Sequence, residues 1–302
     1  MLAFVFPGQG SQYVGMARGL LDHEAGRRTF EEADDALEQG LTKLVMDGPL
    51  EELTRTVNNQ PAIFTHSVAH YRVLAEERPD LFPSMAAGHS LGEYGALVAA
   101  RCLSFADGVR LLRLRGEAMQ DAVPAGEGTM AALLRVDREQ VLDWCERTEG
   151  VVELAAVNSP SQIVIAGEVE AVRACIELAL SEGCRRAQEL QVSAPFHCSM
   201  LAPAAERLRD ALGEVRLDAP AIPVFQNVDA VASSDPEAIR QRLVDQVRRP
   251  VMWEDCGRAM LALGATRFLE LGPGYTLCGL LKKLDRKLDV RSIDRPGALE
   301  GW

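Results

Sequence analysis

Short continuous apolar runs alternate with amphipathic segments along most of this chain. The runs at Leu2–Phe6 and 85–87 contain no polar residue, which is typical of strands buried on both faces of a parallel sheet. Segment 91–100, rich in alanine and leucine, is predicted to be a helix. Further helices are predicted to begin near Ser11, and near Asn58 with Pro61 close to the first helical position. The pattern predicts an α/β fold.

Residues 126–193 follow a pattern of their own. The predicted elements are strand 129–134, helix 138–147, strand 151–157, strand 162–166, helix 169–180 and strand 184–192. This β-α-β-β-α-β order is that of a ferredoxin-like unit, so we expect the segment to be an inserted subdomain. Residues 1–125 and 194–302 then form the α/β core. The second part of that core continues with strand 221–225, helices 236–247 and 253–263, strand 267–271 and helix 276–284.

The motif Gly88-x-Ser90-x-Gly92 lies between the predicted strand at 85–87 and the helix at 91–100. A sharp turn from strand to helix exposes a serine Oγ at the helix N-terminus, which is the geometry of a nucleophile elbow. The sequence therefore predicts Ser90 as a catalytic nucleophile. The alternative is a glycine-rich turn whose serine only caps the helix.

A serine nucleophile needs a base, and His197 is the best candidate among the five histidines. It lies in a loop, where catalytic residues are common, and a histidine pKa is close to neutrality. No carboxylate partner is evident, because Asp143, Glu153 and Glu168 all fall in the predicted insert. A third member could be Asp229 or a backbone carbonyl, and the sequence alone leaves both open.

Three further features have more than one interpretation. The loop Pro7-Gly8-Gln9-Gly10-Ser11-Gln12 is either an oxyanion loop or an ordinary turn. One arginine among Arg110, Arg113 and Arg115 could point inward and hold a carboxylate, although solvated side chains explain the spacing equally. His66 and His70 lie one helical turn apart, but no acidic ligand follows at a telling spacing. We therefore expect packing histidines and no metal site.

Composition narrows the class of protein. The 302 residues are 47% hydrophobic and 25% charged, with a net charge of −12, which argues against general nucleic-acid binding. Seven scattered cysteines form no C-x-x-C pair, so buried free thiols are expected.

The chain has no apolar run long enough to span a membrane and no basic leader, and we expect a cytoplasmic monomer. A basic cluster includes Lys282, Lys283 and Arg286.

Six motifs occur in order and together resemble a known family. They are Phe6-Pro7-Gly8-Gln9-Gly10-Ser11-Gln12, Gly88-His89-Ser90-Leu91-Gly92-Glu93, Arg115-Gly116-x-x-Met119-Gln120, Asn158-Ser159-Pro160, Ala194-Pro195-Phe196-His197 and Gly272-Pro273-Gly274. The set is similar to the malonyl-CoA:acyl carrier protein transacylases of type II fatty acid synthesis, which are related to polyketide synthase acyltransferase domains. The similarity covers essentially the whole chain. It implies an α/β-hydrolase-like core with a ferredoxin-like subdomain.

The resemblance also implies roles for individual residues. Ser90 would be acylated and His197 would be its base, oriented by the main-chain carbonyl of Gln246 in place of a carboxylate. The backbone N–H groups of Gln9 and Leu91 would form the oxyanion hole. The substrate-binding residues implied by the family are Arg115, which would pair with the malonyl carboxylate, Phe196, which resembles malonyl-selective members, and Asn158.

The implied reaction moves a malonyl group from malonyl-CoA, a substrate, to the phosphopantetheine thiol of holo acyl carrier protein, with no cofactor. We expect carrier docking on Lys282, Lys283, Arg286, Arg185 and Arg186, because a basic patch on an acidic protein suits an acidic partner. The alternatives are a free-standing acyltransferase of a polyketide or malonate decarboxylase system, an acyl-thioester hydrolase, and a catalytically idle partner in an assembly.

Overall fold

A five-stranded parallel sheet forms the centre of the protein, whose computed structural model describes residues 1–294, 299, 301 and 302. Its strands are β1 (Leu2–Phe6), β2 (Met85–Gly88), β7 (Val224–Phe225), β8 (Arg267–Glu270) and β9 (Asp289–Ser292). They lie in the order β7-β2-β1-β8-β9, and each neighbouring pair is parallel. The central strands β1 and β2 are buried along their whole length, as continuous apolar runs predict.

The second sheet has four antiparallel strands in the order β4-β5-β3-β6. These strands are β3 (Gly128–Leu134), β4 (Val152–Ser159), β5 (Gln162–Glu168) and β6 (Arg186–Glu189). One side of this sheet encloses a small core around Trp144, and the other contributes Ala156 and Val164 to the main core. The mixed α/β architecture confirms the predicted fold class. The exact domain boundaries stay a prediction, and residues 295–298 and 300 of the predicted core lie outside the described residues.

Helices cover the parallel sheet and one side of the antiparallel sheet. Within the described part of the chain they are α1 (Arg18–Leu21), α2 (Glu24–Leu37), α3 (Leu41–Asp47), α4 (Leu50–Thr54), α5 (Thr56–Glu77), α6 (Gly92–Ala99), α7 (Phe105–Asp121), α8 (Arg138–Arg147), α9 (Val169–Ser181), α10 (Ala202–Gly213), α11 (Pro236–Arg248), α12 (Trp253–Ala262) and α13 (Thr276–Leu284), with a 3₁₀ turn at Ser199–Leu201.

The register of β1 and β2 places two predicted site loops together. Phe6 pairs with Gly88, so both strands end at the same edge of the sheet. Helix α6 packs tightly over this edge, since a Cβ at Gly92 would lie 2.1 Å from the carbonyl oxygen of Phe6. Only glycine permits that approach. The loop after β1 and the turn that carries Ser90 are therefore neighbours, as the crevice at the carboxyl ends of parallel strands requires.

The helix predicted near Ser11 is wrong, because the first helix begins only at Arg18. Local hydrogen bonds compete with helix formation here. Ser11 Oγ donates to the carbonyl oxygen of Gly8 at 3.1 Å, and the Gly10 N–H donates to Gln12 Oε1 at 3.0 Å. Gly10 has a φ of 95°, which a right-handed helix does not allow.

Other elements also differ from the predictions, and the strand predicted at 184–192 shortens to Arg186–Glu189. Pro61 lies inside α5, because the N–H groups of Asn58 and Asn59 both donate to the carbonyl oxygen of Arg55 and start the helix earlier. The strand predicted at 221–225 shortens to Val224–Phe225. Strand β9 was not predicted, since its polar sequence Asp-Val-Arg-Ser lacks an apolar run.

All seven cysteines are free, and all but Cys145 are buried. Across residues 1–294 and the other described positions, no helix is long and apolar enough to cross a membrane.

Candidate active site

Ser90 occupies a strained turn between β2 and α6. Its φ is 53°, a left-handed conformation that is uncommon for a residue with a side chain and that occurs at functional turns. The Ser90 N–H donates to Asn227 Oδ1 at 2.7 Å, and Asn227 Nδ2 donates to the Gly88 carbonyl oxygen at 2.7 Å. The Asn227 side chain therefore holds the backbone that leads into the serine.

His197 lies against the serine although 107 residues separate them. Its Nε2 is 2.8 Å from Ser90 Oγ, and its Nδ1 is 2.6 Å from the backbone carbonyl oxygen of Gln246. A carbonyl can only accept, so Nδ1 carries the proton and Nε2 has a free lone pair. Burial, and secondarily the nearby Arg115 guanidinium, lower the His197 pKa to about 3. The imidazole is therefore neutral at pH 7 and can accept the serine proton.

The backbone carbonyl takes the place of a triad carboxylate. Asp229 does not reach the histidine, since its Oδ2 accepts from Arg242 Nε at 2.7 Å. Glu153 accepts from the Ser199 N–H at 2.8 Å, and Asp143 pairs with Arg147 at 2.6 Å. Of the two possibilities that the sequence left open, the structure places the Gln246 carbonyl at the histidine.

Arg115 is the one of the three candidate arginines that points inward. It lies on the buried face of α7 with 1% of its surface exposed. Its Nη2 donates to Ser90 Oγ at 3.0 Å and to Gln246 Oε1 at 2.9 Å, while Nη1 donates to Gln60 Oε1 at 2.7 Å. Arg113 instead donates to Asn58 Oδ1 at 2.8 Å, and Arg110 pairs with Asp107.

The Arg115 guanidinium is a buried charge among neutral hydrogen-bond partners. No carboxylate of the described residues forms an ion pair with it, and its Nε has no partner there. Burial lowers the Arg115 pKa, because a charge without a counter-ion is costly in a dry site. A buried guanidinium next to a serine hydroxyl is suited to receive the carboxylate of a ligand.

Gln246 and Glu93 connect these groups, and sequence reasoning gave Glu93 no role. Gln246 Nε2 donates to Glu93 Oε2 at 2.9 Å and to the Ser90 carbonyl oxygen at 3.1 Å. The Asn227 N–H donates to the same Glu93 oxygen at 2.9 Å. The sequence did contain a signal for Glu93, because it is a lone carboxylate in the apolar segment 91–100. A carboxylate that is fully buried needs specific hydrogen-bond partners.

The Glu93→Gln variant is expected to change the pH dependence of stability. Burial raises the Glu93 pKa to about 7, above an unfolded value near 4.5. Folded protein therefore binds the proton more tightly, and this carboxyl contributes stability below pH 4.5 that is lost as pH rises to 7. Relative to Glu93→Gln, the wild-type free energy of unfolding should fall by on the order of 3 kcal/mol across that window.

Urea unfolding of both proteins at several pH values measures this difference. The exposed Glu117→Gln, on α7, serves as the control and should track wild type throughout. A wild-type protein that gains stability over Glu93→Gln between pH 4.5 and 7 would contradict the raised pKa.

A cavity of about 500 Å³ opens beside the serine. Its wall includes Gln9, Asn158 and Phe196 as well as Ser90 and His197. Asn158 Oδ1 lies 2.8 Å from His89 Nε2, which fixes both side chains. Phe196 is buried beside the histidine. The cavity is large enough for a small acyl group and part of its carrier.

Two backbone N–H groups next to the serine remain available for a ligand. Leu91 directly follows the nucleophile position, and Gln9 belongs to the loop after β1. Neither N–H donates a hydrogen bond to an atom of the described residues. In an elbow, the N–H after the nucleophile and one from a neighbouring loop supply the oxyanion donors.

The predicted docking residues lie on the surface, in two groups. Arg185 and Arg186 are exposed at the start of β6, and Lys283 and Arg286 are exposed at the end of α13. Lys283 Nζ donates to Gln162 Oε1 at 3.2 Å, which ties α13 to the antiparallel sheet. Lys282 Nζ donates to the carbonyl oxygens of Arg286 and Leu288, so its charge also stabilises the end of α13.

A serine on a strained elbow, with a neutral imidazole as its base and two free N–H groups for an oxyanion, can carry an acyl group as an ester. This fold and site define a serine acyl-transfer enzyme of the α/β-hydrolase-like class. The family model for the acyl transferase domain matches residues 3–293. The chain belongs to that family and, within it, to the malonyl CoA-acyl carrier protein transacylases.

Individual relatives match along nearly their whole length. A malonyl CoA-acyl carrier protein transacylase of Bacillus subtilis (strain 168) is 44% identical over 303 residues, covering 99% of this chain and 95% of the relative. A crystal structure of an acyl-carrier-protein S-malonyltransferase from Burkholderia pseudomallei 1710b has a TM-score of 0.95 and 45% identity, covering 98% and 97% of the two chains. A type II PKS acyl-carrier protein in complex with its malonyl-transacylase gives a TM-score of 0.95 at 40% identity, with coverages of 98% and 97%.

Proposed function

We propose that this protein transfers malonyl from malonyl-CoA to the phosphopantetheine thiol of holo acyl carrier protein through a malonyl-Ser90 ester. One observation carries the proposal: Ser90 Oγ contacts both the neutral His197 and the buried Arg115 guanidinium, which has no carboxylate partner in the described structure. The first contact supports acyl transfer and the second supports an acyl group with a free carboxylate. The names of the relatives include malonyl-CoA and acyl carrier protein, in agreement with the donor and the acceptor proposed here.

In the first half-reaction, His197 Nε2 accepts the Ser90 proton while Oγ bonds to the thioester carbonyl carbon. The Gln9 and Leu91 N–H groups stabilise the oxyanion. The C–S bond then breaks, and the imidazolium returns its proton to the departing CoA sulfur. The Gln246 carbonyl holds the Nδ1 proton throughout and stabilises the transient imidazolium.

In the second half-reaction, the carrier thiol donates its proton to His197 and its sulfur attacks the malonyl ester. The C–Oγ bond breaks, and Ser90 recovers the proton. Arg115 binds the distal carboxylate of malonyl in both steps, which fixes the acyl group in one orientation beside the serine. Asn158 and Phe196, on the cavity wall, shape the space around that acyl group.

Intact-mass spectrometry tests this function directly. Mixing the protein with malonyl-CoA should add one malonyl mass, and holo carrier protein should then remove it and become malonylated. Ser90→Ala should form no adduct. Rapid release of free malonate without carrier acylation would instead establish a thioester hydrolase, and the absence of an adduct with any acyl-CoA would leave an idle partner in an assembly.

The pathway that we propose is type II fatty acid synthesis, as the family resemblance implies. A similar protein forms a complex with a type II PKS acyl-carrier protein, which makes such a carrier the alternative acceptor to test. Comparing fatty acid, polyketide and malonate decarboxylase carriers as acceptors distinguishes these systems. A cytoplasmic monomer without cofactor or nucleic-acid partner stays a prediction.

Charge reversal at the docking patch is expected to affect only the second half-reaction. Lys283→Glu combined with Arg286→Glu should slow carrier malonylation about tenfold at low salt, because it removes attraction to an acidic partner. Acylation of Ser90 by malonyl-CoA should keep its rate. The matched control is Lys43→Glu on α3. Equal losses in both half-reactions would show that the patch does not dock the carrier.

A further inference from the structure

Two histidines of α5 meet a carboxylate from the far end of the chain. One ring nitrogen of His66, one of His70 and one carboxylate oxygen of Asp294 all lie within 4.8 Å of one another. We propose that these three residues bind a divalent transition-metal ion of the zinc class. The site is separate from the catalytic serine, and its existence does not depend on the proposed function.

His66 presents an unused nitrogen inside the protein. Its Nε2 lies 3.1 Å from the backbone carbonyl oxygen of Met16, which can only accept, so Nε2 carries the proton. Nδ1 is then a lone pair, buried and without a hydrogen-bond partner in the described structure. The whole residue has 0% exposure. Burying such an acceptor costs free energy unless a cation or a hydrogen-bond donor contacts it. In metal sites, the ring nitrogen that does not bind the metal commonly donates a hydrogen bond to a carbonyl, as Nε2 of His66 does here.

The other two ligands are also held in position. The His66 and His70 ring centroids are 4.5 Å apart with an interplanar angle of 70°, so the rings do not stack and their nitrogens can approach a common point. Asp294 Oδ1 accepts from the Tyr13 hydroxyl at 3.1 Å, and Oδ2 accepts from the Gly274 N–H at 2.8 Å. Each carboxylate oxygen keeps a second lone pair for an ion.

The donor set selects the class of metal. Two imidazole nitrogens and one carboxylate oxygen suit zinc and its neighbours, whereas calcium and magnesium prefer oxygen ligands alone. Bonds of about 2.0–2.2 Å place neighbouring ligand atoms roughly 3–4 Å apart, so small side-chain movements complete the shell. His70 and Asp294 are only partly buried, so we expect an ion to reach them from solvent and water to supply the fourth ligand.

A bound ion would join three distant parts of the chain. His66 and His70 belong to α5, and Asp294 follows β9. Through Tyr13 and Met16, the ligands also contact the segment that follows Gln9. We therefore expect the ion to be structural and to stabilise the loop beside the active site. Binding to the folded state alone raises the melting temperature by mass action.

The test is metal stoichiometry on the full-length protein after chelator treatment and dialysis. Zinc added back should bind at one ion per chain, measured by elemental analysis and by competition with a chromophoric indicator, and should raise Tm. Cobalt added instead should give the visible d–d bands of a nitrogen–oxygen site. His70→Ala and Asp294→Asn should each weaken zinc binding at least tenfold and abolish the Tm rise.

The matched control is His23→Ala. His23 also pairs with a carboxylate, since its Nδ1 lies 3.0 Å from Glu77 Oε1, but it is not one of the three proposed ligands. This variant should bind zinc like wild type. Asp294→Asn keeps the side-chain shape, so it decides the question if His70→Ala fails to fold. Two results would overturn the proposal. One is a folded variant that still binds one zinc ion per chain, as it would if cysteine thiols were the ligands. The other is a wild-type protein that binds no zinc.

Discussion

His197→Ala is expected to lower the rate of malonyl transfer by roughly 10⁴-fold or more, the scale seen when one member of a coupled nucleophile–base unit is removed. Among the described residues, the hydroxyl of Ser90 contacts one group that can accept its proton, His197 Nε2 at 2.8 Å, whereas Arg115 can only donate to it. Both half-reactions should fall together, since the same imidazole activates the serine and the carrier thiol. Stopped-flow mass spectrometry of each half-reaction measures the two losses separately.

Added imidazole gives this experiment a second readout. The variant leaves a space at the wall of the existing cavity of about 500 Å³, so free imidazole can enter and partly restore the rate. His23→Ala, at a surface histidine, should retain full activity. A His197→Ala protein that acylates Ser90 at the wild-type rate would remove the histidine from the mechanism.

Arg115→Ala is expected to change which acyl group the protein prefers. Loss of a charge-assisted bidentate contact costs roughly 1.5–3 kcal/mol, so kcat/KM for malonyl-CoA should fall about 10- to 150-fold. Acetyl-CoA has no distal carboxylate, and its relative use should rise. Competition between the two thioesters, read as the ratio of malonyl to acetyl adducts on Ser90, isolates this effect from any general loss of activity.

Two further variants separate the charge from its geometry. Arg115→Lys keeps the positive charge but loses the planar fork, and should lie between wild type and Arg115→Ala. Arg113→Ala is the matched control on the same helix, because Arg113 bonds Asn58 and not the serine. An equal fall for malonyl-CoA and acetyl-CoA in Arg115→Ala would show that Arg115 supports the site without reading the carboxylate.

Arg115 and His197 belong to one hydrogen-bonded unit, which is centred on Gln246. Gln246 accepts from Arg115 through its side chain and from His197 through its backbone carbonyl. Its Nε2 is held by the buried Glu93. The base, the carboxylate-binding arginine and the elbow therefore share one glutamine. Effects of changing these residues should be non-additive, as they are wherever groups act through common partners.

Local sequence determined the parts of this protein that depend on neighbouring residues. The apolar run Leu2–Phe6 specifies a strand, and the glycine-flanked Ser90 specifies a sharp turn, through backbone sterics and burial of neighbouring residues. The helix predicted near Ser11 was wrong for a reason that is also local. Side chains there form hydrogen bonds with nearby backbone groups, and the residue types alone do not show whether these bonds or a helix will form.

Only the tertiary structure decided which distant groups meet. The periodicity of α7 does not say which of Arg110, Arg113 and Arg115 faces the serine, and a backbone carbonyl such as that of Gln246 has no side-chain signature. His66 and His70 lacked an acidic partner along the chain, and the fold supplied Asp294 from more than two hundred residues away. Helical and strand patterns fix which face of an element is buried, whereas the contacts across elements depend on how all of them pack together.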